Sequence, residues 1–217
     1  MKLGARITVA AAGCVAAAAS STGQIEAILY SDGPIPGVTN GGAPATIWQT
    51  GIYRPRNSPD KGTWAIRVNS TSASGDEYIV VGSGTNGIVR LAETTNPNDV
   101  PSGTPTIGSI SERGLDVNDN GDLAVSGSFT GTSGTDSIVR VLADGTLTLV
   151  AEEGNAAFQR PNGEGDFSNI NAGTISNTGK VAITEQGGNE QFILWDSGTF
   201  TQLAGEFDIL ANVPGRL

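Results

Sequence analysis

The sequence predicts an all-β fold of repeated four-stranded antiparallel meanders, about three blades in all, which together form a partial or truncated β-propeller. Three observations predict this fold. A glycine-containing motif occurs three times, with its glycines at positions 62, 121 and 179, at spacings of 59 and 58 residues. Each copy is followed by two β-rich runs with a short glycine turn between them. No stretch after the first 21 residues keeps the apolar spacing of an amphipathic helix.

The repeated motif reads Gly-x-(Trp/Leu/Val)-Ala-(Ile/Val) and predicts the second strand of each meander. Its three copies are residues 61–66, 120–125 and 178–183. Asn-Gly and Asp-Gly pairs accept the positive φ angles of two-residue hairpins, so a tight turn is expected after each copy. These turns are predicted at Asn86-Gly87, Asp144-Gly145 and Ser197-Gly198.

One further strand before each glycine completes four strands per unit. The units are expected at about residues 46–104, 105–163 and 164–217, within a repeat domain that covers residues 22–217, and an extra strand is expected at residues 25–31. A sheet of this size cannot bury both of its faces alone. The units must therefore stack on one another or ring around an axis.

A closed propeller typically needs at least four blades, and the sequence supplies three whole units. Three arrangements are consistent with that number. The N-terminal strand closes a small irregular assembly, separate chains associate, or the sequence is the front part of a longer protein. The last residues, Arg216-Leu217, fall within a connector segment, which favours the third arrangement.

Residues 1–21 have the features of a secretory signal peptide. Lys2 and Arg6 provide its positive start, an apolar stretch follows, and Ala17-Ala18-Ala19 provides a cleavage site. The stretch is too short to span a bilayer. We therefore expect a secreted, extracellular or periplasmic protein without a membrane span. Lipid attachment at Cys14 is the less favoured alternative.

Composition excludes several kinds of chemistry. The chain has no His and one Cys, so it offers no Ser-His-Asp triad, no His-ligated metal and no internal disulfide. Its net charge is −10 and its pI is about 4.3. Binding to nucleic acid is not expected, because that requires clustered Lys and Arg side chains.

A family resemblance follows from three sequence features. They are the Gly-x-(Leu/Val)-Ala-(Val/Ile) strand, the Asp-Gly-Thr-Leu turn at residues 144–147 and the Asp-Gly-Pro-Ile-Pro-Gly connector at residues 32–37. Together they resemble bacterial secreted repeat proteins of the propeller-like kind that often carry a PEP-CTERM sorting tail. The resemblance implies an exported β-repeat protein and implies no reaction. The sequence itself contains no such tail.

The most specific local feature is a run of oxygen-bearing side chains at alternate positions before a glycine turn. Asp116, Asn118, Asn120 and Asp122 resemble the first half of a calcium-binding loop. The twelfth position of an EF-hand loop would be a bidentate Glu, but here it is Gly127. The favoured alternative is a polar turn in which Asn and Asp side chains bind nearby backbone N–H groups. Calcium is therefore the single cofactor candidate, and no other is expected.

The remaining candidates are aromatic and acidic side chains. Trp64 and Trp195 align with apolar strand positions of the other units and are expected to be buried between blades. Trp48 has no aligned partner, so it is the freer candidate for stacking on a sugar. A glycosidase needs two carboxyl groups about 5 to 9.5 Å apart. The carboxylates from which such a pair could come are Glu152, Glu153, Glu164, Asp166, Glu185 and Glu190.

These observations favour a non-enzymatic exported scaffold or recognition module, with an unknown extracellular ligand or surface polymer as its partner. Variable loops at residues 69–75, 127–134 and 154–165 are the expected contact regions. Two alternatives stay open. One is a carboxylate-based glycan hydrolase or lyase on the same scaffold, because a fold does not fix a function. The other is a calcium-dependent adhesin or lectin.

Overall fold

The computed structural model describes residues 17–19, 25–27, 29–58, 60–71, 76–94, 96–129, 136–163, 165–186 and 190–205. These residues form strands, turns and two short 3-10 helices at Pro97–Asp99 and Pro161–Gly163. The strands are β1 (Ala17–Ala19), β2 (Ile25–Ala27), β3 (Pro34–Asn40), β4 (Ala43–Asn57), β5 (Thr63–Ser70), β6 (Glu77–Ser83), β7 (Asn86–Glu93), β8 (Ser109–Val117), β9 (Leu123–Ser128), β10 (Ser137–Val141), β11 (Leu147–Glu152), β12 (Ile170–Ile175), β13 (Val181–Glu185), β14 (Gln191–Asp196) and β15 (Thr199–Gly205).

The strands form antiparallel sheets, which confirms the all-β prediction. The first sheet has the order β3-β4-β5-β6-β7, the second β11-β10-β9-β8 and the third β12-β13-β14-β15. Strands β1 and β2 form a separate two-stranded pair. Within each sheet, neighbours in space are neighbours in sequence, as expected when hairpins join the strands.

The N-terminal region differs from the expectation. The strand expected at residues 25–31 ends at Ala27 and pairs with β1. Apart from residues 17–19, the expected signal segment and Cys14 lie outside the described residues. The C-terminal connector at residues 206–217 also lies outside them.

Strand β3 was not expected from the sequence, because Pro34 and Pro36 are unfavourable in strands. Proline is tolerated at a sheet edge, where its missing N–H breaks no ladder bond. The structure places β3 at the edge of the first sheet, paired only with β4. The first sheet therefore has five strands rather than four.

Two predicted turns were misplaced. Ser83 pairs with Asn86, so the β6–β7 turn is Gly84-Thr85 and not Asn86-Gly87. Of the other two turns, Ser197-Gly198 was correctly placed, with φ of 50° and 92°, whereas the β10–β11 turn is Ala143-Asp144 and Gly145 follows it with φ of 90°. The positive φ of both residues 197 and 198 is the condition for a two-residue hairpin.

Apolar side chains pack between successive sheets, because side chains alternate between the two faces of each strand. Trp64 and Ile66 of β5 pack with Leu29, Ile35 and Val38 on the outer side of the first sheet. Between the first and second sheets the buried residues include Ala65, Ile79, Val81, Leu115, Leu123 and Val125. Between the second and third sheets they include Ala124, Ile138, Val150, Ile170, Ile183 and Ile193.

Close packing also joins β4, β8 and β12, which belong to the three different sheets. Strand β8 contacts both β4 and β12. The Arg56 Nε atom on β4 donates to the Leu115 carbonyl at 2.9 Å, and the Ala172 N–H on β12 donates to Ser126 Oγ at 2.8 Å. Gly114 has room for no side chain, since a Cβ there would lie 2.7 Å from the Ala172 carbonyl oxygen.

No helix among the described residues has both the length and the apolar character needed to cross a bilayer.

Candidate functional site

The three glycines of the repeated motif lie in turns of the same kind. Gly62, Gly121 and Gly179 have φ angles of 64°, 82° and 78°, in the left-handed region that favours glycine. Each turn directly precedes the strand that carries the repeated motif, namely β5, β9 or β13. The three turns also contact one another through polar side chains, which makes them the centre of the candidate site.

The Asp116–Asp122 segment folds as a polar turn. Asn118 Oδ1 accepts hydrogen bonds from the backbone N–H groups of Asn120 at 2.9 Å and Asp122 at 3.0 Å. The Asn118 N–H donates to the Asp122 carbonyl at 3.1 Å. This is the arrangement by which an Asn side chain stabilises a turn from within.

The side chains of this segment also bind the third sheet. Asp116 Oδ2 accepts from Thr174 Oγ1 at 2.6 Å and from the Ile175 N–H at 2.8 Å. Asn118 Nδ2 donates to the Ser176 carbonyl at 2.8 Å. These contacts join residues 58 or 59 positions apart in sequence, so they fasten the second sheet to the third.

Two further side chains complete the segment's contacts. Asn120 Nδ2 donates to the Asn177 carbonyl at 2.9 Å. Asp122 is buried; its Oδ2 atom accepts from Asn118 Nδ2 at 2.8 Å and its Oδ1 atom accepts from the Ala143 N–H at 2.9 Å. The four predicted calcium ligands thus lie on one turn, but their carboxylates are directed to different donors.

Asp119, which the sequence pattern did not single out, connects all three turns. Its Oδ1 atom accepts from the N–H groups of Asp60 at 3.2 Å and Lys61 at 3.1 Å. Its Oδ2 atom accepts from Asn177 Nδ2 at 2.7 Å, while the Asp119 N–H donates to Asn177 Oδ1 at 2.9 Å. The hydrogen bonds from Asn177 and Ser58 hold the pKa of Asp119 well below its ordinary value.

Calcium binding at this turn would compete with these contacts. Calcium takes six to eight oxygen ligands, and charged carboxylates supply most of the affinity. Here Asp116 and Asp122 already accept backbone N–H donors, which are among the stronger hydrogen bonds a carboxylate makes. Among the described residues, no three Asp, Glu, His or Cys side chains are grouped so as to hold a metal ion. The calcium site stays a prediction, and the geometry supports the polar turn.

Two carboxylates link the end of one sheet to the start of the next. Glu93 Oε2 accepts from the Ile110 N–H at 2.7 Å, and Glu153 Oε1 accepts from the Ile170 N–H at 3.0 Å. Glu93 ends the last strand of the first sheet and Glu153 directly follows that of the second, and each donor lies at the start of the next sheet, 17 residues later. Burial raises the pKa of Glu93.

The other acidic candidates also contact nearby groups. Glu152 Oε2 accepts from Asn155 Nδ2 at 2.6 Å, and Asp166 Oδ1 accepts from Gln159 Nε2 at 2.6 Å. Glu185 forms an ion pair with Arg160 at 2.9 Å. Glu190 borders an open depression beside Phe192, and Glu164 lies outside the described residues. Glu152, Asp166 and Glu185 therefore serve as hydrogen-bond or ion-pair acceptors for nearby side chains.

Trp64 and Trp195 are both buried as predicted, but only Trp195 lies between two sheets. Trp64 and Trp195 are buried, the first against the outer side of the first sheet and the second between the second and third sheets. Arg140 lies over the Trp195 ring, 4.8 Å from its centroid. Trp48 on β4 is 55% exposed, which leaves its face available for contact.

An open cleft of about 370 Å³ lies where turns of the first and second sheets meet. Its walls include Pro36, Ile88, Pro101, Pro105 and Asp144, and Arg90 contributes its polar wall. A second depression of about 310 Å³ shares Ile88 and Arg90 with it and continues to Asp119 and Asn120. The two form one groove along the turn end of the sheets.

Arg90 lies at the centre of this groove. Its Nη1 atom donates to the Ala143 carbonyl, while its Nε atom is buried and finds no acceptor among the described residues. Burial lowers the pKa of Arg90, and the charges of Asp122 and Asp144 act in the opposite direction. The loops expected to carry binding are described only in part, because residues 72–75, 130–135 and 164 lie outside the described residues.

A scan of this sequence against protein-family models finds no match, and a search of curated proteins finds no similar sequence. The function must therefore be inferred from the geometry of the turns and of the groove.

Proposed function

We propose that this chain is an exported, non-enzymatic recognition scaffold of the β-propeller-like type, which binds an extracellular ligand or surface polymer in the groove around Arg90. The observation that carries this proposal is a contrast. The polar side chains of the turns hold the sheets together, whereas the adjoining groove is open and lined by apolar groups together with Arg90 and Asp144.

The propeller-like arrangement is supported by how the sheets stack. Strands β4, β8 and β12, each of which comes directly before a strand that carries the motif, lie side by side. The innermost strands of neighbouring propeller blades are arranged in the same way. Each successive pair of sheets buries an apolar layer between its faces. Three blade-like units, at about residues 46–104, 105–163 and 164–217, are our interpretation of this stack.

The groove suits a polymer of sugar units. Ile88 is half exposed beside Pro36 and Pro101, which gives an apolar wall on which sugar rings can pack. The Arg90 guanidinium and the Asp144 carboxylate, which both line the groove, would bind hydroxyl groups. An apolar wall with a few convergent polar groups is the usual composition of a ligand site.

The proposal is tested by screening the purified chain against an array of bacterial surface polysaccharides. For any polymer bound, Ile88→Asp and Arg90→Gln are each expected to weaken binding about tenfold or more, a loss of roughly 1.4 kcal/mol. Lys180→Gln is the control, since it removes an exposed positive charge from the third sheet outside the groove. Equal binding by all four proteins would contradict the proposed groove.

The same screen examines the two alternatives. Release of reducing ends from a polysaccharide, abolished by a single Glu→Gln substitution among Glu152, Glu153 and Glu190, would replace the scaffold by a glycan hydrolase. Binding that needs calcium and is lost in Asp116→Asn would replace it by a calcium-dependent lectin or adhesin.

A further inference from the structure

The third sheet has an outer face, on the side away from the second sheet, that is partly uncovered among the described residues. Phe192 holds the place of Ile138 in the second sheet, because each pairs with an alanine of the last strand. Leu203 holds the place of Val150, because each is the residue that a bulge leaves unpaired. Ile138 and Val150 are both 0% exposed. Phe192 and Leu203 are 38% and 51% exposed, so this apolar patch marks an interaction surface.

The polar groups of this face lie at the two ends of its strands. Lys180 and Asp196 form an ion pair at 2.8 Å at one end, and Glu190 lies at the other. Beside Glu190, a shallow depression of about 320 Å³ extends past Phe192 to Gly205, where β15 ends. A segment that covers the middle of the face must therefore offer apolar side chains.

The two equivalent faces are each covered by the chain that follows the same sheet. Strand β8 follows the first sheet, contacts β5, β6 and β7, and packs Ile110 in the same apolar layer as Ile79. Strand β12 follows the second sheet, contacts β9 and β10, and packs Ile170 in the same layer as Ile138. The chain that follows the third sheet begins at residue 206, at the edge of the depression. Cover by these next residues would repeat the arrangement of the first two sheets.

Residues 206–213 have the sequence pattern of a strand with one apolar side. Every second position from 207 to 213 is apolar: Phe207, Ile209, Ala211 and Val213. The positions before and between them are mostly polar: Glu206, Asp208, Leu210 and Asn212. Successive side chains of an extended segment point to opposite sides, so the four apolar ones share one side. Eight extended residues reach roughly 26 Å. That length exceeds the width of a sheet whose four strands lie about 4.8 Å apart.

We propose that residues 206–213 turn back across the outer face of the third sheet and cover it. The apolar side of the segment, with Ile209 near its centre, packs against Phe192 and Leu203, and its acidic side chains stay in water. The segment is tethered at Gly205, so it outcompetes a free partner of equal affinity through its high effective concentration. The groove around Arg90 takes no part in this contact.

The test is the rate at which iodoacetamide alkylates a thiol placed on the face, in the full chain with Cys14→Ser. Leu203→Cys should react about tenfold or more slowly there than in the same variant shortened after Gly205. Tenfold corresponds to an opening free energy of roughly 1.4 kcal/mol. Ile88→Cys is the matched control, because Ile88 is also 51% exposed but lies on the first sheet. Its rate should not depend on residues 206–217.

Two substitutions within the segment test which of its sides faces the sheet. Ile209→Asp puts a charge on the apolar side and should restore fast alkylation of Leu203→Cys in the full chain. Leu210→Asp puts the same charge on the other side and should leave alkylation slow. Circular dichroism checks that each variant keeps its β structure. If the shortened chain loses it, the comparison of these two full-length variants decides.

Three results would overturn the proposal. One is that Leu203→Cys reacts equally fast in the full and shortened chains, or that Ile88→Cys is slowed by the same factor. Another is that Ile209→Asp and Leu210→Asp have equal effects. The third is a mass of two copies in light scattering of the full chain that Leu203→Asp returns to one copy, because a second copy would then cover the face.

Discussion

The indole ring of Trp64 packs against Gly87: a Cβ atom on residue 87 would come within 2.6 Å of the ring's Cη2 atom. Gly87 pairs with Gly82 across β6 and β7, and Trp64 Nε1 donates to the Gly84 carbonyl at 2.9 Å. The glycine of the predicted Asn-Gly turn is thus required by a neighbouring aromatic ring, not by the turn.

Gly87→Ala is expected to destabilise the fold by about 1–3 kcal/mol, because the added methyl group overpacks the space between Trp64 and Val80. Denaturant unfolding followed by tryptophan fluorescence measures this free energy. Ser83→Ala is the control, since Ser83 is exposed in the same hairpin. A Gly87→Ala variant as stable as the control would show that the ring does not pack there.

Ser126→Ala tests the packing of the second sheet on the third. Its buried Oγ atom accepts the Ala172 N–H, and the substitution leaves that N–H without an acceptor, at a cost of about 1–3 kcal/mol. Ser102→Ala, at an exposed serine, should change the free energy of unfolding very little. If both variants unfold alike in denaturant, β9 and β12 are not joined by this bond.

Much of the fold could be predicted from the sequence because it depends on local patterns. The repeated glycine motif and the β-rich runs after it predicted the strands, and alignment between units predicted that Trp64 and Trp195 are buried. Strand β3 could not be predicted, since the edge position that tolerates Pro34 and Pro36 depends on pairing with β4.

The candidate site was less predictable for a related reason. The pattern from Asp116 to Asp122 correctly marked a polar turn, but spacing along one segment does not reveal partners on other sheets. Asp119 acquires its role from Lys61 and Asn177, each 58 residues away. Similarly, the larger cleft of the groove around Arg90 is lined by four separate segments, at residues 36–37, 87–90, 101–105 and 144–145, and no single motif indicates it.

Asp119→Asn is expected to lower the melting temperature by several degrees at neutral pH, because the amide cannot accept all of the donors that face the carboxylate. The pKa of Asp119 is lowered on folding, so the unfolded chain takes up the proton first as the pH falls. Its contribution to stability is therefore full above its ordinary value of 3.8 and is lost as the pH falls toward the lowered value.

Melting curves of the native chain and of Asp119→Asn at about pH 7 and about pH 3 test this loss of stability at low pH. The difference between the native chain and Asp119→Asn should shrink at the lower pH. Asp60→Asn is the control, because it removes an equal charge from an exposed side chain of the adjoining turn. A difference that grows on acidification would contradict the lowered pKa.

Export is expected to remove residues 1–19, with cleavage after Ala19. Mass spectrometry of the chain secreted by a bacterial host should then give a mature N-terminus at Ser20. A diacylglyceryl mass on a peptide that begins at Cys14 would establish the lipoprotein alternative instead. An intact N-terminal Met in the secreted fraction would contradict both.

The Asp116–Asp122 segment fastens the second sheet to the third through hydrogen bonds. We expect this connection to need no metal ion. The most direct test compares thermal melting of the full chain in EDTA and in calcium at roughly 1 mM, a concentration at which extracellular calcium modules bind. We predict equal melting temperatures in the two buffers and a lower one for Asp116→Asn in both. A rise of several degrees in calcium, absent from Asp116→Asn, would contradict the claim and establish a calcium site.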